Sequence, residues 1–272
     1  MKIAFTKMHG IGNDFIVLDC RSKDIPNIRR AVKKLSDRRF GVGFDQALVL
    51  KDSKKADFRM DIYNADGGRV EMCGNGIRCL ANYIWKRKLS RKARLDIETL
   101  AGIIRPEKKD GLVKVDMGEP ILDGPSIPTL HQGMVVDMPL AISDRTFRIT
   151  CVSMGNPHAV IFVDDVDGFP VEKYGPLIER NKFFPKKTNV EFIEVLSRRS
   201  LKMRVWERGA GETLACGTGA CGAAVASNLK GLTDKNVSVR LKGGILKIDL
   251  AKDGHVYMTG PAEEVFTGEA EI

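Results

Sequence analysis

The chain has 272 residues, 43% hydrophobic and 29% charged, with 44 Lys and Arg against 35 Asp and Glu for a net charge of +9. That length exceeds what one core needs and suits two domains of roughly 100 to 150 residues, and no run of about 18 apolar residues is present to span a bilayer. The opening, Met1-Lys2-Ile3-Ala4-Phe5-Thr6-Lys7, turns polar too soon for a signal peptide, so a cytoplasmic chain with reduced thiols and no membrane role is expected. The positive charge is spread, and its densest runs, 29–39 and 86–94, read as solvated helix faces, so no nucleic-acid partner is expected.

Residues 2–7 alternate as a strand, a Gly-rich turn follows at 9–14, and 15–18 is a short apolar run suited to a buried strand. Residues 27–39 carry Ile28, Ala31, Val32 and Leu35 at helical spacing. Strands are expected at 47–50 and 58–64, then a long apolar helix over 77–88 whose small and apolar residues occupy more than one face. Pro120, Pro125, Pro128 and Pro139 mark 118–139 as a connector and put a domain boundary near 118. Beyond it, strands at 190–196 and 201–207 and a helix at 220–230 repeat the earlier order.

That repetition is a register. An offset of 143 residues carries Cys73-Gly74-x-Gly76 onto Cys216-Gly217-x-Gly219, Asn13 onto Asn156, Gln46 onto Asn189, Gly68 onto Gly211 and Tyr63 onto Trp206, without a gap from about residue 3 to 93. A period this long is a duplicated domain. Duplication of a fold preserves apolar residues more readily than exposed amides, so the matched amides and cysteines point to chemistry. A cysteine at the mouth of a helix meets unpaired backbone N–H groups and the positive end of the macrodipole, which stabilise a thiolate and can lower its pKa to about 3.5–7.5. The same N–H groups hold a carboxylate, and the glycines let it approach. Two such thiols on opposite faces of one carbon can invert a stereocentre, one removing a proton and the other returning one. Cys20, Cys79, Cys151 and Cys221 read as buried small hydrophobes, and no cysteine spacing is a zinc signature.

The register also has exceptions. Phe15 falls on His158, Asn64 on Glu207 and Ala65 on Arg208. Titratable groups therefore occur on one side only, where His158 and Glu207 can assist proton transfer and Arg208 can fix a carboxylate.

The motifs 7-KMHGIGNDF-15, Asn64-Ala65-Asp66-Gly67, Met72-Cys73-Gly74-Asn75-Gly76-Ile77-Arg78-Cys79, Gly155-Asn156-Pro157-His158, Glu207-Arg208-Gly209 and Ala215-Cys216-Gly217-Thr218-Gly219 resemble the diaminopimelate epimerase family, over nearly the whole chain. The resemblance implies an α/β (α+β) fold of two pseudo-symmetric duplicated domains, each a mostly antiparallel sheet wrapped around a central helix, with the active site in the interdomain cleft. The domains expected are 1–117 plus 262–272, the C-terminal segment returning as a strand, and 118–261. It implies a PLP-independent, cofactor-free isomerase acting on a dicarboxylic diamino acid, converting L,L- to meso-diaminopimelate for lysine and peptidoglycan precursors, with no metal, as a homodimer. By the same resemblance Cys73 and Cys216 are the acid/base pair, supported by His158 and Glu207. Gly74, Asn75, Gly217 and Thr218 contact the reacting carboxylate, and Asn13, Gln46, Asn64, Asn156, Asn189, Glu207 and Arg208 orient the substrate. A proline or hydroxyproline racemase shares the two-cysteine logic, but Arg208, Asn64 and Asn189 suit a second carboxylate, and Asn75 stands where that family has histidine.

Overall fold

In the computed structural model, which describes residues 1–272, the chain opens as strand β1 (Lys2–Gly10), whose side chains alternate between exposed and buried over residues 2–5 and are mostly buried thereafter. There follow β2 (Asn13–Asp19), α1 (Ile28–Leu35), β3 (Gln46–Lys51), β4 (Phe58–Asn64), β5 (Arg69–Val70), α2 (Gly74–Lys86), β6 (Ile97–Thr99), β7 (Gly102–Ile104), β8 (Glu107–Lys109) and β9 (Leu112–Asp116). The connector is extended chain with one short 3-10 turn, Gly124–Ser126. Then come β10 (Met138–Ile142), β11 (Arg145–Ser153), β12 (Pro157–Phe162), α3 (Val171–Glu179), β13 (Asn189–Ser197), β14 (Ser200–Glu207), β15 (Gly211–Thr213), α4 (Gly217–Leu229), β16 (Asn236–Leu241), β17 (Gly244–Leu250), β18 (Val256–Gly260) and β19 (Glu263–Glu271).

Two units result, Met1–Val115 with Thr259–Ile272, and Asp116–Met258. The first holds a sheet of order β19-β1-β2-β3-β4-β6-β7 with β5 beside β4; β19 lies antiparallel to β1, so the C-terminal segment does return as a strand. The second holds the order β10-β11-β12-β13-β14-β16-β17-β18 with β15 beside β14. Both sheets are mostly antiparallel. The exceptions are equivalent: β2 with β3 and β4 with β6 in one, β12 with β13 and β14 with β16 in the other.

The register survives folding at the level of individual pairs. Phe15 lies opposite Gln46 and Ala47 opposite Tyr63, just as His158 lies opposite Asn189 and Val190 opposite Trp206. Strand alternation then divides each sheet between two helices. One face takes the outer helix: Ile16, Leu18, Ala47, Val49 and Tyr63 pack with Val32 and Leu35 of α1, and Ala159, Ile161, Val190 and Phe192 pack with Val171 and Ile178 of α3. The other face takes the central helix, α2 against β1, β2, β3 and β19, and α4 against β11 to β14, β16 and β17.

The structure shifts some sequence-based boundaries. The helix expected over 27–39 ends at Leu35, because the amides of Val42 and Gly43 turn back onto the Leu35 carbonyl and stop the ladder. The central helices begin at Gly74 and Gly217, not at 77 and 220, since the glycines that obscure the periodicity are themselves the first turn.

Helix α3 approaches its sheet through Gly175, where an added Cβ would stand 2.6 Å from Trp206 Cγ. The indole cannot swing away freely, because its Nε1 donates to buried Glu179 Oε2 at 2.8 Å. In an open helix Gly→Ala gains about 1 kcal/mol of propensity, whereas overpacking costs about 1–3 kcal/mol. Gly175→Ala should therefore lower stability, by roughly 1 kcal/mol net. A urea-unfolding midpoint equal to or above wild type would show that the contact has room.

Candidate active site

Cys73 is the N-cap of α2 and Cys216 the N-cap of α4; both backbones are extended there, and each Sγ accepts from the amide three residues on, Gly76 N and Gly219 N, at 3.4 Å. An N-cap side chain answers one of the orphan donors of a helix start and leaves the remaining amides of the first turn for a ligand. Neither position is decided by burial alone. Cys216 is 5% exposed, close to fully buried Cys221 one turn further along the same helix; its place at the cap distinguishes it.

In the first unit, Asn13 Oδ1 lies 3.9 Å from Cys73 Sγ and accepts from Asn75 Nδ2 at 3.2 Å. Its Nδ2 donates to Asp45 Oδ2 at 2.8 Å, and Arg38 bridges Asp45 to Asp14. Burial would raise the Asp14 carboxyl, but bonds from Arg38 and Lys7 hold it down at about 2, so this brace stays charged across the physiological range. Gln46 Nε2 donates to Asn64 Oδ1 at 2.8 Å across the β3–β4 ladder. Asn75 is further held by Arg78, a fully buried guanidinium that also bonds the Gly74 carbonyl. Cys73, Gly74, Asn75, Asn13, Gln46 and Asn64 thus belong to one unit, at the start of α2 and the adjoining strand ends.

The second unit assembles the matching set. Asn189 Nδ2 donates to the Pro157 carbonyl at 2.8 Å and its Oδ1 accepts from the Arg208 amide at 2.9 Å. The Arg208 side chain is exposed and reaches the Lys186 carbonyl at 3.3 Å. Cys216 Sγ lies 3.5 Å from Thr218 Oγ1. Glu207, on β14, takes bonds from the Thr213 hydroxyl and the Cys216 thiol. His158, wholly buried on β12, lies with Nε2 3.0 Å from Asn156 Oδ1 and Nδ1 2.6 Å from Glu191 Oε1.

The sequence leaves open which of the two cysteines is the thiolate, and at Cys216 the helix start does not lower the thiol. Burial pushes this thiol well up, and the charges of Glu207 and Glu191 add to it, overriding the bonds from Thr218 and Gly219. A helix start favours a thiolate by about 0.3–1 kcal/mol when exposed, which a desolvated sulfur beside two carboxylates outweighs. Among the remaining cysteines, burial raises Cys79 to about 12, Cys20 to about 11 and Cys151 higher still, as inert core thiols require.

Sequence reasoning missed Glu191, Asp45, Thr213 and the role of Arg78. For Glu191 a signal existed: it is the one charge within the apolar run 190–193, and the offset of 143 lays it on Leu48.

The fold and paired caps define a duplicated α/β epimerase-type protein. Its likeness to solved structures at low identity shows that fold: a PhzF-family phenazine biosynthesis protein from Bacillus anthracis (TM-score 0.74, 19% identity, 100% of each chain) and a hydroxyproline epimerase from Agrobacterium vitis (TM-score 0.72, 14% identity, 99% of this chain and 91% of that one). The sequence profile of the family described as Diaminopimelate epimerase matches residues 5–122 and 150–265. The diaminopimelate epimerase of Agathobacter rectalis is 51% identical, covering 98% of this chain and 99% of its own; that of Acetivibrio thermocellus is 50% identical over 98% of each, and that of Leptospira biflexa 46% over 100% of each. The chain belongs to the diaminopimelate epimerase family, a family of PLP-independent isomerases.

Burial pushes the Glu207 carboxyl above its ordinary 4.5, against the Thr213 and Cys216 bonds. A carboxyl raised in the folded state costs nothing below its unfolded value and destabilises as pH rises through the folded one, because the native state must then bury a charge. Glu207→Gln keeps an acceptor for Thr213 and removes that cost. Its melting temperature relative to wild type should be higher near pH 8 than near pH 4; a pH-independent difference would mean that Glu207 carries no such strain.

Proposed function

We propose that this chain interconverts L,L- and meso-diaminopimelate by a two-cysteine acid–base mechanism. The observation that carries this reading is the placement of Cys73 and Cys216 as N-caps of two equivalent central helices, each Sγ bonded to the third amide of its helix at 3.4 Å. Identity near 50% to several proteins named for that activity supports the substrate.

In this reading one cysteine acts as thiolate and takes the α-proton, while the other, as thiol, returns a proton to the opposite face of the same carbon. The α-proton of an amino acid is weakly acidic, so the barrier lies in the charge that develops on the carbon and its carboxylate. Preorganised N–H donors act on charge of this kind, and each helix start offers a first turn with glycines at its open end, Gly74 and Gly217, beside Asn75 and Thr218. Cys216, its thiol pushed up by burial, suits the proton-donating role in the state described. His158 and Glu207 support it, and Asn13, Gln46, Asn64, Asn156, Asn189 and Arg208 orient the substrate, with Asn64, Asn189 and Arg208 toward the non-reacting centre. Arg208 suits that end because its guanidinium is exposed and its backbone is anchored by Asn189.

The same reading includes residence in the cytoplasm, service to lysine and peptidoglycan precursor synthesis, a homodimeric assembly, domains of 1–117 plus 262–272 and 118–261, and closure of the domains on the substrate to exclude water. No helix is long and apolar enough to cross a membrane.

In D2O the protein should place deuterium at the α-carbon of L,L-diaminopimelate and leave proline unlabelled. Cys73→Ser and Cys216→Ser should each reduce epimerisation by at least about a hundredfold, while Cys79→Ser and Cys221→Ser retain most of it. Label in proline alone would redirect the assignment to the proline racemases, and equal loss in all four variants would reduce the cysteines to packing.

A further inference from the structure

Beneath the first turn of each central helix the sheet presents two side chains, one from each of two parallel strands. In the first unit they are Phe15 and Leu48: a Cβ on Gly76 would stand 2.9 Å from Leu48 Cδ2 and 3.4 Å from Phe15 Cε1. In the second unit the same positions hold His158 and Glu191, and a Cβ on Gly219 would stand 2.7 Å from Glu191 Oε1. Both residues are 0% exposed. A carboxylate and an imidazole thus replace two hydrocarbon side chains at the closest approach of sheet to helix, one turn below Cys216.

A fully buried ionisable pair carries a desolvation cost that an apolar pair avoids, as Phe15 and Leu48 do in this same fold. Glu191 also leaves its Oε2 buried with no hydrogen-bond partner. Packing therefore gives no reason for this pair. The bonds do. Asn156 Oδ1 faces Nε2, which makes that nitrogen an N–H donor; one further proton is then shared across the 2.6 Å contact between Nδ1 and Glu191 Oε1. The chain Glu191–His158–Asn156 runs from the core to an amide of the half-site. In the first unit the equivalent amide, Asn13, is instead braced from outside by Asp45.

We propose that Glu191 is a positioning residue of the Cys216 half-site: its buried carboxyl group fixes the proton arrangement of His158 and thereby orients Asn156 beside the helix start that carries Cys216. The proposal rests on the two-cysteine reading for its consequence in catalysis, though not for its geometry. The titratable groups near Cys216 are Glu207 on β14 and Glu191 on β13, with His158 on β12 bonded to Glu191 and Cys151 on β11 close to it.

Glu191→Gln keeps the volume and one acceptor and removes the charge. His158→Phe with Glu191→Leu transplants the apolar pair that the first unit shows to be compatible with this packing. Each would be assayed for epimerisation in both directions, for melting temperature, and for the pH dependence of alkylation at Cys216 and Cys73 by iodoacetamide with peptide mapping. In Glu191→Gln, kcat should fall roughly tenfold or more, the Cys216 profile should change and the Cys73 profile should stay. Ring nitrogen shifts of 15N-labelled His158 should report an altered proton arrangement. The double variant should fold and remain impaired. A Cys216 profile and His158 shifts unchanged in Glu191→Gln would overturn the proposal even in a fully active enzyme, as would recovery of wild-type activity in the double variant. An inert wild type would instead count against the function, and the alkylation and nitrogen measurements would still decide the role of Glu191.

Discussion

Each unit depends on one close contact, the approach of the central helix to its sheet through a glycine in the first turn. Gly76 and Gly219 have no room for a Cβ. That closeness lets the preceding cysteine cap the helix while its strand neighbours hold amides beside it. It also means that the two strand residues beneath the glycine are pressed against the helix start, where their polarity is felt most. Those two positions differ between the half-sites: hydrocarbon under α2, imidazole and carboxylate under α4.

The contact explains why the duplicated halves keep a common register. A one-residue slip of a strand would turn Phe15 and Leu48, or His158 and Glu191, to the outer helix and send the core of the other face inward. The pairs Phe15–Gln46 and Ala47–Tyr63 reappear as His158–Asn189 and Val190–Trp206 because the helix above admits only that alignment. The halves diverge in the turn that leads into these strands. The turn before β2 closes between Gly10 and Asn13, while its counterpart before β12 runs from Ser153 to Pro157, one residue wider.

Legibility in the sequence followed the same boundary. Cys73, Cys216 and the matched amides were readable because polar residues repeated at a fixed offset have no packing reason to do so, and the central helices because their apolar residues cover more than one face. The helix starts were placed three residues late because glycine carries no periodic signal. Glu191 went unread because a lone charge in a strand ordinarily marks an exposed position, and only the stacking of β13 under α4 shows this one to be buried. Which way the Cys216 thiol shifts is open in the sequence for a related reason. The helix start is visible in the sequence, but the desolvation and the two carboxylates that outweigh it come from strands distant in the chain.

In the proposed mechanism two near-identical caps must do opposite work. If both thiols sat in equal fields, the protein would have no basis for holding one proton rather than none or two, and epimerisation requires one base and one acid at a time. Helix dipoles cannot break the tie, since α2 and α4 each span 13 residues and begin with the same cap. The two starts differ in the charge buried against them: the Arg78 guanidinium bonds Gly74 and Asn75 in α2, whereas carboxyl groups lie near Cys216 in α4. Glu207 accepts from Cys216 directly, and Glu191 acts from below through His158 and the helix start. Both raise the cost of removing the Cys216 proton without adding any group to the first turn, so the amides there remain open to a carboxylate in both halves.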